Sequence, residues 1–445
     1  MHWFAVLAIV AVGSAAEADT HYVDTSSANP KEPYASRETA AHDIQSAVKA
    51  AEAGDTVQVA AGTYPIDKTI SIGKAITVQG AGADKTTIDA GGNCRAVGLG
   101  GGATLKGFTI TGGKAREGAG VQCGGGAKLL ECTISNNTAE RYGGGVCARG
   151  AGKQPALVAD CIIRDNKVTR FMHTDTPWGG GGLYIEPGVT VRNCRIENNE
   201  AAQRAGGVWA HGGGATVENC TIIGNRAAGR RARNPNGPGS MDEGGGGAYC
   251  DFGGQLRNCL ITGNSAPIGG GAVLSQGGNI RNCTVVGNSA SMSGGGVQTL
   301  GVGGVVNSII HGNTQSTKKQ PDDLYVSHYY HVDVHQLTLG KPAIRNCCVG
   351  TLKLHHTRQR FYLGPTAGYN PNNYKNVANQ SNCIDKDPQF VDAAGSDWRL
   401  KPSSPCINAA VKEPWMEQAK DLDGKDRVQG SAVDIGAYEA AADSK

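Results

Sequence analysis

Through the middle of the chain, apolar residues alternate with polar ones in very short runs, as in Val189/Val191, Cys194/Ile196 and Val208/Ala210. A period of two marks a strand with one buried face. These runs belong to a repeating unit: Gly-Gly-Gly-Val-x, a spacer, then Asn-Cys-x-Ile-x-x-Asn-x-Ala. The positions after the glycines are Val121, Val146, Leu183, Val208, Ala248, Ala272 and Val297, spaced 25, 37, 25, 40, 24 and 25 residues apart. The pattern predicts coils of three short strands and three turns with a period of about 25 residues, two of them lengthened. A single coil cannot bury its apolar row, so the coils must stack. The predicted fold is all-β, a single-stranded parallel β-helix over residues 56–350.

The ends read differently. Ala35–Ala53 has helical periodicity, with Ser36 as N-cap, Ile44, Ala47, Val48 and Ala51 on one face, and Gly54 closing it. Residues 19–55 are therefore read as an N-terminal cap, and the strands begin at Thr56-Val57-Gln58-Val59. Residues 351–445 read as an irregular C-terminal capping region; between 311 and 382 one coil stands out, at Asn346-Cys347. Residues 1–18 have the layout of a secretory signal, apolar from Trp3 to Val12 and then Gly13, Ser14, Ala15 and Ala16. Its n-region carries His2 and no Lys or Arg. A secreted chain is expected, in the bacterial periplasm or outside the cell, with no membrane insertion, as a monomer.

One column of the repeat reads Cys132, Cys161, Cys194, Cys220, Cys259, Cys283, Ser308, Cys347, each preceded by Asn or an acid: Glu131, Asp160, Asn193, Asn219, Asn258, Asn282, Asn307, Asn346. Asn tolerates a left-handed turn, and its amide can bond to the next amide up the stack. The cysteines read as buried fillers rather than disulfides, since parallel side chains on neighbouring rungs rarely meet the dihedral requirement. Cys383 and Cys406, outside the column, are the expected bonded pair.

Composition narrows the class. The chain has 67 Gly without a triplet period, so it is not collagen, and its regular Val, Ile and Leu positions exclude disorder. A formal charge of +3 without a basic block excludes nucleic acid as partner. His328, His331 and His335 are irregularly spaced for a metal, and Asp421-Leu422-Asp423-Gly424 lacks the remaining ligands of a calcium loop and reads as a turn. No cofactor is predicted; calcium stays open, with no residues assigned to it.

The repeat resembles the right-handed β-helix proteins of the pectate-lyase-like superfamily, and its Gly-Gly-Gly and Asn-x-Ala halves are similar to polymorphic outer-membrane protein repeats. His21-Tyr22-Val23-Asp24, Gly54-Asp55-Thr56-Val57 and Ala61-Gly62-Thr63-Tyr64 resemble the cap and first coil of such proteins. Asp387-Pro388-Gln389-Phe390, Trp398-Arg399-Leu400, Ser404-Pro405-Cys406-Ile407, Asp421-Leu422-Asp423-Gly424 and Asp434-Ile435-Gly436-Ala437-Tyr438-Glu439 resemble the C-terminal signature of bacterial choice-of-anchor β-helix proteins. With the sequence stopping soon after it, that resemblance implies release rather than anchoring. The fold hosts lyases, hydrolases, isomerases and adhesins, so it names no activity. The acidic calcium clusters and Arg motifs of pectate lyases, and the paired aspartates of polygalacturonases, are not found in the sequence.

Alternation in the strand after the glycines puts Trp209 and His211 outside. Applied to every coil, it gives one outward column of Gln122, Cys147, Tyr184, Trp209, Tyr249, Val273 and Gln298, and another of Gly124, Arg149, Glu186, His211, Asp251, Ser275 and Leu300. Tyr184, Trp209 and Tyr249 are read as an exposed row for sugar rings, against the alternative of a purely structural cross-strand ladder. Cys147 reads as a partly covered surface thiol. The two long repeats insert before this strand, from Cys161 to Leu183 and from Cys220 to Ala248. The first insertion carries Lys167, Arg170, His173, Asp175 and Trp178; the second carries Arg226, Arg230, Arg231, Arg233, Asp242 and Glu243. Loops on a rigid solenoid are a common place for function.

The candidate catalytic set is Arg149, Glu186, His211 and Asp251, with Tyr184, Trp209, Tyr249, Lys167, Arg170, Trp178, Arg230, Arg231 and Arg233 binding substrate. Glu186 and Asp251, two rungs or roughly 10 Å apart, suit the acid and base of an inverting glycoside hydrolase. A polysaccharide lyase instead needs a base, His211 or Tyr184, and a cation for the uronate, Arg149 or the arginine cluster. The basic loops favour an anionic polysaccharide. A carbohydrate-binding adhesin without turnover and a structural surface protein are the competing readings.

Overall fold

The computed structural model describes residues 18–150, 154–170, 179–229, 244–328, 342–356, 379–429 and 432–440. The two-residue alternation becomes a parallel β-helix, as the pattern predicts. One central coil runs Val189–Arg192, Arg195–Glu197, Glu200–Ala201, Val208–His211 and returns at Thr216–Glu218 beside its own start. Corresponding strands stack into four sheets of 13, 11, 9 and 11 strands, named first to fourth here in the order the coil visits them. The central coils therefore hold four strands, not three. The additional strand, Glu200–Ala201 in this coil, is two residues long, too short to show alternation in sequence.

Inward residues of each coil, such as Val191, Ile196, Val208 and Ala210, are fully buried in one continuous core. The turn after the first sheet holds the expected column: Asn193, Asn219, Asn258, Asn282, Asn307 and Asn346 all have positive φ. Asn193 Nδ2 donates to Asp160 at 3.1 Å and Asn258 Nδ2 to Asn219 at 2.8 Å. From Cys132 to Cys347 the cysteine column beside it is buried, and its thiols are free.

A second ladder lies inside the next turn. Asn137, Asn166, Asn199, Asn225, Asn264, Asn288 and Asn313 are buried, and each of the first six donates its backbone N–H and Nδ2 to the Oδ1 one rung on, at 2.8–3.0 Å. The last pair of donors, on Asn313, ends on the Asp323 carboxylate at 2.7 and 2.9 Å. The paired glycines make room for it: a β-carbon on Gly207 would stand 2.4 Å from Gly247 O and 3.0 Å from the Asn225 amide.

The cap differs from its prediction. Its helix, α1, is Ile44–Ala50, and the N-cap is Asp43, whose carboxylate accepts from Ser46 N at 2.8 Å and Ser46 Oγ at 2.7 Å. Ser36 instead closes a local turn with Thr39. The segment before α1 is drawn out because Ala41 bridges Val23 in the stack. Thr20–Val23 is itself the first strand, pairing with Thr56–Val59 ahead of the helix. Ile44, Ala47 and Val48 face the core as the periodicity requires.

At the other end the stack continues past 350, through Leu352–His356 and Asn379–Ser381. Cys383 lies in the cysteine column after all: Asn382 Nδ2 donates to Asn346 at 3.2 Å, and Cys383 Sγ donates to Ile344 O. It is not bonded to Cys406, which is buried against the outer side of the second sheet with Leu260, Val286, Ile309 and Cys348. Phe390, Leu400, Ile407 and Ile435 complete that contact, so the C-terminal segment is packed onto the solenoid wall. Asp421 forms a turn, its Oδ1 accepting from Asp423 N and Lys425 N.

Candidate functional site

The fourth sheet carries the strand after the glycines, and its register matches the predicted columns. Tyr184 pairs with Trp209 and Trp209 with Tyr249, and His211 lies opposite Asp251 on the next rung. Asp251 is buried, and its Oδ1 accepts from Trp209 Nε1 at 3.1 Å and meets His211 Nδ1 at 2.9 Å. A carboxylate accepts, so Nδ1 carries the proton and the neutral imidazole keeps its lone pair on Nε2. The hydrogen bond that His211 donates to Asp251 raises the His211 pKa above its ordinary value, and half-burial opposes it. His211 keeps about a third of its side chain exposed, at 35%. Its ring lies 6.1 Å from Tyr184 in a stacked arrangement and 5.3 Å from Phe252 edge to face.

Two rungs back from His211, Arg149 is held between two carboxylates, Glu117 at 2.9 Å and Glu186 at 3.0 Å. Its guanidinium also lies 5.9 Å from the Tyr184 ring. Arg149 is thus already neutralised. Glu186 is occupied by Arg149, and Asp251 is buried beneath His211 and Trp209, so the two do not stand as a free acid and base across a cleft. What the arrangement offers chemically is one oriented imidazole whose Nε2 is bonded by no described residue.

The aromatic row is a correction. Tyr184, Trp209 and Tyr249 point away from the solenoid core, yet they are 6%, 4% and 1% exposed. They form a small apolar cluster of their own with Cys147, Ile268 and Val273. Tyr142 from the preceding turn lies 4.6 Å from the Tyr184 ring, and Arg204 covers Trp209 and Tyr249 at 5.8 and 4.9 Å. Burial also pushes the Cys147 thiol up to about 12, so it is inert rather than a surface thiol. Among the described residues the exposed aromatic at the site is Phe252, at 55%, which the outward columns missed because it stands in the turn after Asp251. A large apolar residue where the neighbouring coils have Gly212 and Gln276 was the available signal.

Comparison with known proteins settles the class of the scaffold. The family model for the right-handed beta helix region matches residues 75–315. The chain belongs to the right-handed β-helix family. Among solved structures this β-helix is similar to pectate lyase Pel9A, with 16% identity, a TM-score of 0.49, and 95% of this chain and 96% of that one covered. It is also similar to pectin methylesterase from carrot, with 13% identity, a TM-score of 0.31, and coverage of 74% and 89%. A third likeness is to the mannuronan C-5 epimerase AlgE4 A-module of Azotobacter vinelandii, at 12% identity, a TM-score of 0.31, and coverage of 68% and 86%. No curated protein matches it in sequence.

The remaining predicted residues of this β-helix lie elsewhere. Lys167 stands on the third sheet, bonded to Glu200 at 3.2 Å, and Glu200 also takes Arg226 at 3.0 Å. Arg170 pairs with Glu140 at 3.4 Å. Each is engaged in a cross-strand charge pair on a different sheet from His211. Trp178, Arg230, Arg231 and Arg233, with His173, Asp175, Asp242 and Glu243, fall outside the described residues, as do His331 and His335. The insertions that carry them return at Gly179 and Gly244, just ahead of Tyr184 and Tyr249. Among the described residues no cluster of His, Cys, Asp and Glu could hold a metal ion, and no helix is long and apolar enough to cross a membrane.

Proposed function

We propose that this β-helix is a secreted, monomeric protein that acts on polysaccharide along its fourth sheet, with His211 as the proton-transfer group. The observation that carries this reading is the His211–Asp251 contact at 2.9 Å, which leaves Nε2 open beside an exposed phenylalanine. Phe252 supplies the flat apolar surface for a sugar ring, and Asp251 acts as a positioning residue that fixes the tautomer. Among the two enzymatic readings, one oriented base without a free carboxyl partner favours β-elimination, a lyase reaction, over inverting hydrolysis. In that reaction Nε2 takes the proton next to the uronate carboxylate, and the electron pair left behind expels the glycosidic oxygen.

The uronate carboxylate needs a cation. Arg149 is consumed by Glu117 and Glu186, so the role falls to Arg230, Arg231 and Arg233 on the insertion that re-enters before Tyr249. A binding protein without turnover is the second reading; it is favoured by the same Phe252 and by the engagement of Arg149.

The test is a panel of neutral and uronate polysaccharides, assayed for new reducing ends and for unsaturated-uronate absorbance. The lyase yields both with uronates, and His211→Gln abolishes both. Reducing ends without absorbance reject the lyase. Retained binding with neither product leaves the adhesin.

A further inference from the structure

A second concavity lies on the outer side of the first sheet, away from His211. It encloses about 480 Å³ between the last coils and the C-terminal segment, and its walls include Asn279, Arg281, Val302, Arg345, Val411 and Glu413. The floor is Gly303-Gly304 and Val306. Register puts Val306 between Arg281 on one rung and Arg345 on the other, so the two arginines flank the floor. A β-carbon on Gly304 would fall 2.3 Å from Asn279 Oδ1, so the missing side chain is what lets that amide lie across the trough.

The two arginines differ. Arg281 pairs with Glu413, whose other oxygen accepts from Trp415 Nε1 at 2.7 Å. Arg345 is exposed, and no described residue forms an ion pair with it. The lining therefore has two guanidiniums against one carboxylate. Its rim is also apolar in an unusual way. Six large hydrophobic residues are markedly exposed among the described ones, and two of them, Val302 at 41% and Val411 at 53%, belong to this one cavity.

We propose that this trough is a second saccharide site, which takes one acidic sugar residue independently of any reaction at His211. Arg345 takes the carboxylate, which suits the guanidinium fork. The Asn279 amide oxygen meets hydroxyls, its Nδ2 already donating to Gly277 O, and Val302 and Val411 cover the apolar face of the ring. The volume lies within the range of small-molecule sites. An inorganic anion would leave most of it, and both valines, in water; a neutral sugar would leave Arg345 unmatched.

The test is calorimetric titration of the full chain with uronic acid oligomers, neutral hexose oligomers of equal length, and sodium sulfate. A His211→Gln, Phe252→Ala background removes saccharide bound at the fourth sheet from the signal. Uronate oligomers should bind, neutral ones should not, and Arg345→Gln should weaken binding about tenfold or more, the loss of one charge-assisted contact. Val411→Asp, placing a like charge at the rim, should weaken it too, with circular dichroism confirming that both variants fold. Equal binding of neutral oligomers, binding of sulfate alone, or unchanged affinity in Arg345→Gln would each overturn the proposal. Turnover by the otherwise unaltered chain carrying Arg345→Gln should stay intact, which separates this site from the reaction at His211.

Discussion

Trp209 on the fourth sheet and Phe252 in the turn that follows it belong to adjacent coils, and the proposed reaction face gives them opposite roles. Trp209 is 4% exposed and donates Nε1 to Asp251, whereas Phe252 is 55% exposed and touches the His211 ring. Truncating a buried tryptophan removes its transfer energy and leaves a cavity, about 3–5 kcal/mol. Losing the bond to buried Asp251 adds about 1 kcal/mol or more. In a stack held by nearest-neighbour contacts that loss falls on one coil and its two neighbours. Trp209→Ala should therefore lower the urea midpoint followed by circular dichroism. Phe252→Ala should change stability by no more than about 0.5 kcal/mol, as exposed substitutions usually do. Its effect belongs to binding: one aromatic contact with a ring, about 1 kcal/mol, is roughly a fivefold weaker Kd. Urea titration and affinity electrophoresis on the same two variants decide the matter. If Trp209→Ala folds as stably as the parent and loses binding while Phe252→Ala binds normally, the tryptophan is the sugar platform and the assignment is refuted.

Asn225→Ala would strip the Asn199 N–H of its acceptor and Ile196 O of its donor inside the inner ladder, costing about 3 kcal/mol by urea unfolding; a cost below that of an exposed turn asparagine would show that the ladder is not structural. Asp251→Asn removes the main cause of the raised His211 pKa, so the acidic limb of kcat/KM against pH should move to lower pH. An unmoved limb means that another group titrates. The same raised pKa stabilises the fold fully below the imidazole's ordinary 6.5, and that contribution disappears as pH rises through the folded value. The melting difference between the parent and His211→Gln should accordingly shrink from acidic to alkaline pH. Among the thiols, Cys383 is exposed at the end of the column and its pKa is lowered to about 6 by the Cys347 thiol, while the column cysteines from Cys132 to Cys347 are buried. Brief alkylation of the native protein followed by mass spectrometry should mark Cys383 first; labelling of Cys194 or Cys259 at the same rate would contradict the buried column.

How far the sequence could be read depends on what each feature needs. The outward columns and the left-handed asparagines follow from period and backbone preference alone, and register and φ agree with them residue by residue. The burial of the aromatic row does not follow, because it is decided by Tyr142 and Arg204, which arrive from other turns. Alternation reports which way a side chain leaves the strand, and nothing about what comes to lie on top of it. The same blindness explains Arg149, whose neutralisation by Glu117 is a contact across 32 residues. Asp43 rather than Ser36 caps α1 because Ala41 is held in the stack by Val23, a tertiary contact that overrides the local helical pattern.

This division has a physical cause in the solenoid itself. Buried amide ladders and close-packed glycines act identically in every coil, so the repeat advertises them many times over. A functional group is confined to one coil and breaks the repeat where it occurs. Phe252 is such a break, standing where adjacent coils place Gly212 and Gln276, and His211 stands in a column, Arg149, Glu186, His211, Asp251 and Ser275, in which no residue recurs. Neither position is required by the core, since Ala210 and Cys250 beside them fill the interior. Departures from the repeat that leave the inward row intact are the residues whose identity the fold does not explain, and at this face they converge on one imidazole.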